Sequence, residues 1–262
     1  MENFKSYLPS YPVNQYIKSY WIIKGSKKAN NFQKIILPYS EVCIKFLMSN
    51  NMNNNMNNIN NFTTGIYVSP PMTNFYSISL NDDFYYVDLT FFPGVFFELF
   101  KIPISILENR IYKVDELSLG IDNSLLDILY ENRNNENATI KILDNYFSNF
   151  IKKLNSNSLL MQIKELYITH NLDKFYKENS SSMRQIQRKV KESTGLTPRT
   201  IQRISRFHKI IENFRYSSKN SNASVIAQNL EFFDQSHLIK DFKSFSGITP
   251  KLFLSNREKF LY

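Results

Sequence analysis

The sequence predicts an α+β domain followed by an all-helical domain that carries two helix-turn-helix units. Short apolar runs bounded by Pro, Asn, Asp and Gly fill the first part of the 262-residue chain, as in a small barrel or sandwich with appended helices. A polar linker over 152–158 follows, and beyond it one helix-and-turn phrase occurs twice. We therefore place the domains at 1–155 (the front domain) and 156–262 (the helical domain).

Strands are predicted to open the front domain and helices to close it. The expected strands cover 16–23, 33–37, 42–48, 65–67, 75–80 and 84–91. Between two of them, the tract from Asn50 to Asn61 holds nine Asn and predicts a long loop without regular structure. The expected helices cover 95–101, a short segment near Ile104, 124–132 and 139–154.

The helical domain shows helical periodicity along its whole length. The expected helices cover 159–171, 172–179, 184–193, 198–215, 224–230, 236–245 and 250–260. Ser180-Ser181-Ser182 provides a turn and N-cap, and Pro198 occupies the first turn of the longest helix, where Pro is favoured. This arrangement predicts two helix-turn-helix units joined by a long helix.

The repeated phrase reads STGLTPR over 193–199 and FSGITPK over 245–251, 52 residues later. The match extends backwards, where Ile186, Arg188, Val190 and Lys191 correspond to Leu238, Lys240, Phe242 and Lys243. The shared spacing describes one amphipathic helix, with an apolar inner stripe and a basic outer stripe, present twice. Two such modules suit a repeating anionic polymer such as B-DNA, whose major groove returns about every 34 Å.

Charge is divided unevenly between the two domains. Residues 160–262 hold 18 Lys and Arg against 9 Asp and Glu, whereas residues 1–159 hold 14 of each. The whole excess of +9 therefore lies in the segment that carries the repeat. Confined basic charge is typical of phosphate binding, which releases counterions. The alternative, a solubilising surface, does not require this asymmetry.

The repeat resembles the DNA-binding domain of the AraC/XylS family of transcription regulators. The residues that match the family's first helix-turn-helix signature are Ser182 to Arg188, Gly195 to Pro198 and Arg206-Phe207. Those that match the second are Ile226-Ala227, Phe232, Asp234 to Leu238, Phe242-Lys243 and Gly247 to Pro250. The resemblance implies a seven-helix domain that places two recognition helices in successive major grooves. Glu231 departs from the family, which usually has Gly in this turn.

Landmarks in the front domain are similar to those of a cupin-like sensor domain found in one branch of that family. They are Tyr7 to Ser10 with Tyr20-Trp21, Ile36 to Pro38, and Phe91 to Val95. The resemblance implies a sensor or dimerisation domain and no particular ligand, so no effector-binding residue is indicated. The abundant Phe and Tyr side chains either line an apolar ligand pocket or fill a core, and Trp21 is predicted to be core.

Candidate DNA contacts lie on the polar faces of the two predicted recognition helices. Because Arg reads guanine and Gln reads adenine, the candidate base readers are Arg184, Gln187, Arg188, Gln235, Ser236, His237 and Lys240. The candidate phosphate contacts are Lys191, Arg203, Arg206, Lys243 and Lys251. His237 has the alternative of a packing or capping role. Ile186, Val190, Leu238 and Phe242 are predicted core residues.

Enzymatic chemistry finds little support in the sequence, and we predict no catalytic residue, metal or cofactor. All three histidines (His170, His208 and His237) lie in the helical domain, which excludes a His-ligated metal barrel in the front domain. No Gly-rich phosphate loop occurs. Cys43 lies in an apolar strand and is predicted to be buried rather than nucleophilic, and Asp82-Asp83 is predicted to be a turn.

We therefore expect a sequence-specific DNA-binding transcription regulator that responds to an effector through its front domain. Double-stranded DNA is the main expected partner, and RNA polymerase, a second copy of the chain and a small-molecule effector are further candidates. The alternative is a nucleic-acid-binding adaptor whose front domain makes protein contacts only, and a catalytic front domain on a DNA tether is remote. A single Cys, the lack of a signal peptide and the lack of 18 consecutive apolar residues predict a cytoplasmic protein without membrane partners.

Overall fold

The computed structural model describes residues 3–25, 32–49, 54–56, 59–80, 83–107, 110–154, 158–179, 181–216 and 235–261. Within these ranges a β-rich domain with helices precedes a helical domain, which confirms the predicted fold class. The predicted helix over 224–230 and the turn that contains Glu231 lie outside the described residues.

Two sheets form the front domain. Their strands are β1 (Asn3–Tyr7), β2 (Ile17–Gly25), β3 (Phe32–Ile36), β4 (Cys43–Ser49), β5 (Asn54–Met56), β6 (Ile59–Phe62), β7 (Gly65–Ser69), β8 (Tyr76–Leu80), β9 (Phe84–Phe91), β10 (Tyr112–Lys113) and β11 (Phe260–Leu261). One sheet has the order β1-β2-β9-β4-β7-β10, and the other has the order β11-β3-β8-β5-β6. All the pairings are antiparallel except that of β11 with β3, which is parallel.

The six-stranded sheet is covered on both faces, which explains why every residue of β9 is buried. Val87, Leu89 and Phe91 of this strand join a core that also contains Leu129 and Phe147 from the neighbouring helices. The alternate residues of β9 face the second sheet, because successive side chains of a strand point to opposite faces. Tyr86 accordingly belongs to a separate core that includes Ile78 of β8.

Helices follow the strands in the front domain, as predicted. They are α1 (Val95–Phe100), α2 (Ser124–Glu131) and α3 (Glu136–Ile151), with 3₁₀ turns at Val13–Gln15, Ile104–Ile106 and Val114–Leu117. The Asn135 side chain accepts a hydrogen bond from the Ala138 amide and so caps α3, which begins at Glu136, three residues before the predicted start at 139.

The helical domain contains six described helices. They are α4 (Ser158–Thr169), α5 (Leu172–Lys177), α6 (Met183–Thr194), α7 (Pro198–Tyr216), α8 (Gln235–Ser246) and α9 (Pro250–Ser255). Their shared core is rich in Phe, and the four predicted core residues Ile186, Val190, Leu238 and Phe242 are all buried in it.

The duplicated phrase folds in the same way in both copies. Gly195 and Gly247 end α6 and α8 with φ values of 74° and 75°, a left-handed conformation that favours Gly. Thr194 Oγ1 donates to the Val190 carbonyl at 2.7 Å, and Ser246 Oγ donates to the Phe242 carbonyl at 2.8 Å. The repeat in the sequence is therefore a repeat in structure.

Two predictions about secondary structure are wrong. The Asn-rich tract was expected to be a loop, but β5 and β6 pair with each other and β5 pairs with β8. Backbone groups form these ladders whatever the side-chain polarity, so composition alone does not reveal them. The helix expected over 250–260 ends at Ser255, because a 3₁₀ turn at Arg257–Lys259 leads Phe260 and Leu261 into pairing with β3.

Candidate nucleic-acid interface and interdomain cavity

The first predicted recognition helix, α6, presents the predicted base readers to solvent. Ser182 caps the helix through a capping box in which its side chain and that of Gln185 each accept a backbone N–H. Ile186 and Val190 face the core, so residues on the opposite side, at i+3 and i+4 spacing, face outwards. Exposed residues on this outer side are Arg184, Gln187, Arg188 and Lys191.

The cations of this outer side have no partner among the described residues. Arg184, Arg188 and Lys191 make no ion pair or side-chain hydrogen bond with any described residue, which leaves their donors available to an external acceptor. Gln187 differs, because its Nε2 donates to the Tyr176 hydroxyl at 3.1 Å. This contact orients the amide from the end of α5.

The second predicted recognition helix, α8, repeats the arrangement. Leu238 and Phe242 are buried, while Ser236, Lys240 and Lys243 are exposed. Neither lysine has a partner in the described part of the chain, nor does the exposed Lys251 at the start of α9. The side chains of Gln235 and His237 lie outside the described residues, so the base-reading and packing alternatives for His237 both stay open.

Two of the predicted phosphate contacts are on α7 and are engaged within the protein. The Arg203 guanidinium donates to Asp241 Oδ1 at 2.8 Å and lies over the Phe245 ring, 5.0 Å from its centroid. This pair ties α7 to α8 and so helps to position the second recognition helix. Arg206 is half-buried. The signal for this pairing that sequence reasoning missed is Asp241, an acidic residue within the basic α8 and the partner of Arg203.

A cavity of about 110 Å³ lies where the two sheets of the front domain meet α7. Sequence reasoning did not find it. Its walls combine aromatic, apolar and charged side chains, which are Lys18, Trp21, Ile23, Ile36, Leu37, Tyr39, Glu41, Cys43, Lys45, Tyr86, Asp88, Thr90 and His208. The volume suffices for several waters or a small organic molecule. The available signal was the placing of Lys45 and Asp88 inside otherwise apolar strands.

One ion pair of the cavity wall lies within the six-stranded sheet. Lys45 Nζ is 2.5 Å from Asp88 Oδ2, and the Tyr86 hydroxyl donates to the same carboxylate oxygen at 2.9 Å. Burial alone would lower the pKa of Lys45, but the Asp88 carboxylate together with the hydroxyls of Tyr76, Tyr86 and Tyr39 holds that pKa well above its ordinary value. Lys45 and Asp88 therefore form a buried ion pair within the sheet.

A second buried pair joins the two domains. Glu41 Oε1 accepts hydrogen bonds from Lys18 Nζ and from the Tyr167 hydroxyl of α4, each at 2.7 Å. Glu41 Oε2 accepts a bond from the Ser40 amide, also at 2.7 Å. Burial would raise the pKa of Glu41, yet the Lys18 ammonium, with a further contribution from the Tyr167 hydrogen bond, lowers it to about 2.

His208 closes the cavity from the helical domain. Its Nε2 lies 2.6 Å from the Pro38 carbonyl oxygen, which can only accept, so Nε2 carries the proton. Desolvation lowers the pKa of His208 from its ordinary value, despite the nearby Glu41 carboxylate. The neutral imidazole thus links α7 to the loop that follows β3.

Two residues singled out by the sequence line this cavity. Cys43 is buried as predicted, and burial raises the pKa of its thiol well above the ordinary value, which disfavours the nucleophilic thiolate. Trp21 was expected in the core but is only half-buried. Its ring stacks on Phe4 with centroids 4.6 Å apart, and its Nε1 donates to Ser19 Oγ.

The described residues offer little for other kinds of site. Among them, no group of three or more His, Cys, Asp or Glu could hold a metal ion. No helix within the described ranges is both long and apolar enough to cross a membrane.

Two family models match the chain. A helix-turn-helix domain matches residues 177–256, and a domain of unknown function (DUF6597) matches residues 5–113. The first range contains α6, α7, α8 and α9, and the second contains the strands from β2 to β9. No curated protein matches the sequence.

Solved structures of ToxT from Vibrio cholerae are similar to the chain at low identity. One has 14% identity and a TM-score of 0.49, covering 96% of this chain and 98% of its own. ToxT of strain O395 bound to (E)-4-(8-methylnaphthalen-1-yl)but-3-enoic acid has 15% identity and a TM-score of 0.46, with the same two coverages of 96% and 98%. Unsaturated fatty acid bound wild-type ToxT of strain SCE256 has 16% identity, a TM-score of 0.41 and coverages of 90% and 94%.

The lowered pKa of Glu41 predicts an acid-sensitive contribution to stability. Since the pKa falls from 4.5 to about 2 on folding, ionised Glu41 stabilises the fold above pH 4.5, and this contribution is lost as the pH falls towards 2. We expect Glu41→Gln to lower the free energy of unfolding by about 3–5 kcal/mol at neutral pH, because it leaves Lys18 without its counter-ion.

Urea denaturation between pH 7 and pH 3 measures this effect. The difference in the free energy of unfolding between the wild type and Glu41→Gln should become smaller as the pH falls below 4.5. Glu165→Gln is the control, because Glu165 pairs with Lys174 on the surface, where its side chain is 42% exposed. Its free energy of unfolding should differ little from that of the wild type at every pH. If the loss of stability in Glu41→Gln is the same at every pH, the lowered pKa of Glu41 is wrong.

Proposed function

We propose that this chain is a transcription regulator of the AraC/XylS type, that α6 and α8 are its two DNA-reading helices, and that the cavity beside His208 receives a small-molecule effector. The protein is a DNA-binding regulator, and its front domain is the effector-responsive part. We further propose the domain boundary at 155/156, and a cytoplasmic location where DNA is accessible.

One observation carries the DNA-reading assignment. Two helices with the same cap geometry each present exposed cations that have no partner among the described residues. Long charged side chains on a protein surface commonly find carboxylates, so a repeated set of unpartnered cations is suited to an external polyanion. The shared turn geometry at Gly195 and Gly247 gives both helices the same relation to the segment that follows them.

Base and phosphate roles follow from position on each helix. Arg184, Gln187 and Arg188 on α6, and Gln235, Ser236, His237 and Lys240 on α8, are proposed to reach base edges. Lys191, Lys243 and Lys251 are proposed to contact phosphates. Arg203 and Arg206 keep this proposed role, although Arg203 must then share its guanidinium between Asp241 and a phosphate.

The charges of the cavity favour a particular class of effector. Lys18 is paired with Glu41 and Lys45 with Asp88, so neither ammonium is a free counter-ion for an anionic ligand. The aromatic rings of Trp21, Tyr39 and Tyr86 supply apolar walls. We therefore propose an uncharged or zwitterionic effector. RNA polymerase and a second copy of the chain are proposed as further partners on the family resemblance alone.

The DNA-reading assignment predicts a graded loss of binding. We expect Arg184→Ala and Lys240→Ala each to weaken binding to the selected operator by about 1–3 kcal/mol, because each removes a base contact. Lys189→Ala is the matched control, since Lys189 is an exposed cation on α6 that lies away from the outer face of Arg184 and Arg188. Titration of labelled duplex with the full chain, by fluorescence anisotropy at several salt concentrations, measures these losses.

The outcomes separate specific reading from general charge. Binding equal to wild type in both Arg184→Ala and Lys240→Ala would show that these helices do not read bases. An equal loss in Lys189→Ala would show that only net charge matters.

The effector assignment predicts stabilisation by mass action. A ligand that binds only the folded state raises the melting temperature, so a thermal-shift screen of uncharged and zwitterionic metabolites with the full chain should find one. Thr90→Leu should abolish the shift by filling the cavity, whereas Ile128→Ala, which alters an exposed residue of α2, should retain it. A shift that persists in Thr90→Leu would place the ligand elsewhere.

A further inference from the structure

The first helix-turn-helix unit (α4 to α6) and the second, which is described from α8 to β11, are attached to the front domain in different ways. The first unit is anchored by buried groups. Gly195, at the end of α6, lies so close to Ile104 that a Cβ atom here would be 2.9 Å from Ile104 Cγ2. Ile104 is 1% exposed and belongs to the core of the front domain, as does Leu160 of α4.

Polar contacts reinforce this anchor through α4. The Tyr167 hydroxyl is buried against Glu41 and Lys18, and Lys164 Nζ donates to the Gln15 carbonyl at 2.6 Å. Separation of the first unit from the front domain would therefore expose apolar core and break a buried charge network, which is costly.

The second unit makes smaller contacts at its edges. The two residues of β11 pair with β3, with Phe260 opposite Ile35 and Leu261 opposite Ile36. Lys34 Nζ donates to the Glu258 carbonyl at 2.7 Å. At the other side, Gly247 lies against Phe75, which is 47% exposed, and a Cβ on Gly247 would be 2.8 Å from its ring.

Within the helical domain, α8 packs on α7. The Phe242 ring packs against Phe207 and Phe214, at centroid distances of 5.2 and 5.7 Å. Arg203 and Asp241 add the ion pair between the same two helices. The second unit can thus keep its own packing when its contacts with β3 and Phe75 are broken.

Strand β3 connects these edge contacts to the cavity. Ile36 lines the cavity and is also the partner of Leu261, and Leu37, the next residue, lines the cavity as well. A ligand that displaces Ile36 would act directly on the pairing with β11. Short edge strands are the parts of a sheet that open most readily.

We propose that β11 and the contact between Phe75 and Gly247 form a clasp by which the front domain holds the second helix-turn-helix unit. When the clasp opens, the second unit changes position and the first does not. The clasp is a feature of the fold whether or not DNA is bound, but its regulatory meaning rests on the proposed function. It would let the cavity control the spacing of the two recognition helices.

Double electron–electron resonance on the full chain tests the clasp without DNA or ligand. One spin-label pair combines Leu8→Cys in the front domain with Ser244→Cys on α8, and a second pair combines Leu8→Cys with Lys189→Cys on α6. All three positions are exposed. Cys43 is buried, so labelling is directed to the introduced cysteines.

Two variants open the clasp by different means. The first is a double variant. Its Phe75→Ala substitution removes the ring that contacts Gly247, and its Leu261→Pro substitution removes a backbone N–H of β11. Phe75→Ala with Lys34→Ala changes only side chains that are at least partly exposed, which guards against a failure to fold. Tyr130→Ala, at a residue of α2 that is 41% exposed, is the matched control for loss of an aromatic ring.

We expect both clasp variants to broaden the distance distribution to α8 and to leave the narrow distribution to α6 unchanged. Tyr130→Ala should change neither distribution. An unchanged α8 distribution in both clasp variants, or equal broadening of both distributions, would overturn the proposal. Because no DNA is present, these outcomes are separate from a failure of operator binding, which would instead count against the proposed function.

Discussion

A buried carboxylate, Glu41, is the constraint around which the two domains are joined. It is 1% exposed and lies just before β4, so it must be hydrogen-bonded on both oxygens to remain ionised. Lys18 of the front domain and Tyr167 of the helical domain share one oxygen, while the Ser40 amide takes the other. Because Tyr167 belongs to α4, the need to satisfy this carboxylate fixes where the helical domain begins its packing on the sheets.

Buried charge also shapes the cavity. The face of the six-stranded sheet that looks towards the second sheet carries Lys45 and Asp88 as well as apolar residues. Paired charges of this kind resist close packing by apolar groups, which leaves a space bordered by both domains. Because this space has walls from β3 and α7, a change in the relative position of the two domains would change its shape, as the proposed effector role requires.

Several elements could be predicted from the sequence because their signals are local. The bounds of β9 were predicted at 84–91 and observed at Phe84–Phe91, since turn residues delimit an apolar run on both sides. Both recognition helices were predicted within two residues, because the repeat supplies an internal comparison and Gly195 and Gly247 mark the ends. The candidate DNA contacts follow from the same periodicity.

The features that were missed depend on contacts between distant parts of the chain. Nothing near Phe260 and Leu261 indicates a strand, because their partner β3 lies more than 200 residues earlier. The engagement of Arg203 requires knowledge that α7 and α8 bring it to Asp241. The cavity likewise arises from strands and helices that only the tertiary fold brings together.

Hydroxyl-radical footprinting is the most direct test of the proposal that one chain presents two equivalent DNA-reading helices. On an operator selected from random duplex by the full chain, we expect protection of the backbone that borders two adjacent major grooves on one face of the DNA, about one helical turn or 34 Å apart. Arg184→Ala should weaken one of these protections and Lys240→Ala the other. Protection at a single groove that responds to only one of the two substitutions would rule out two equivalent DNA-reading helices.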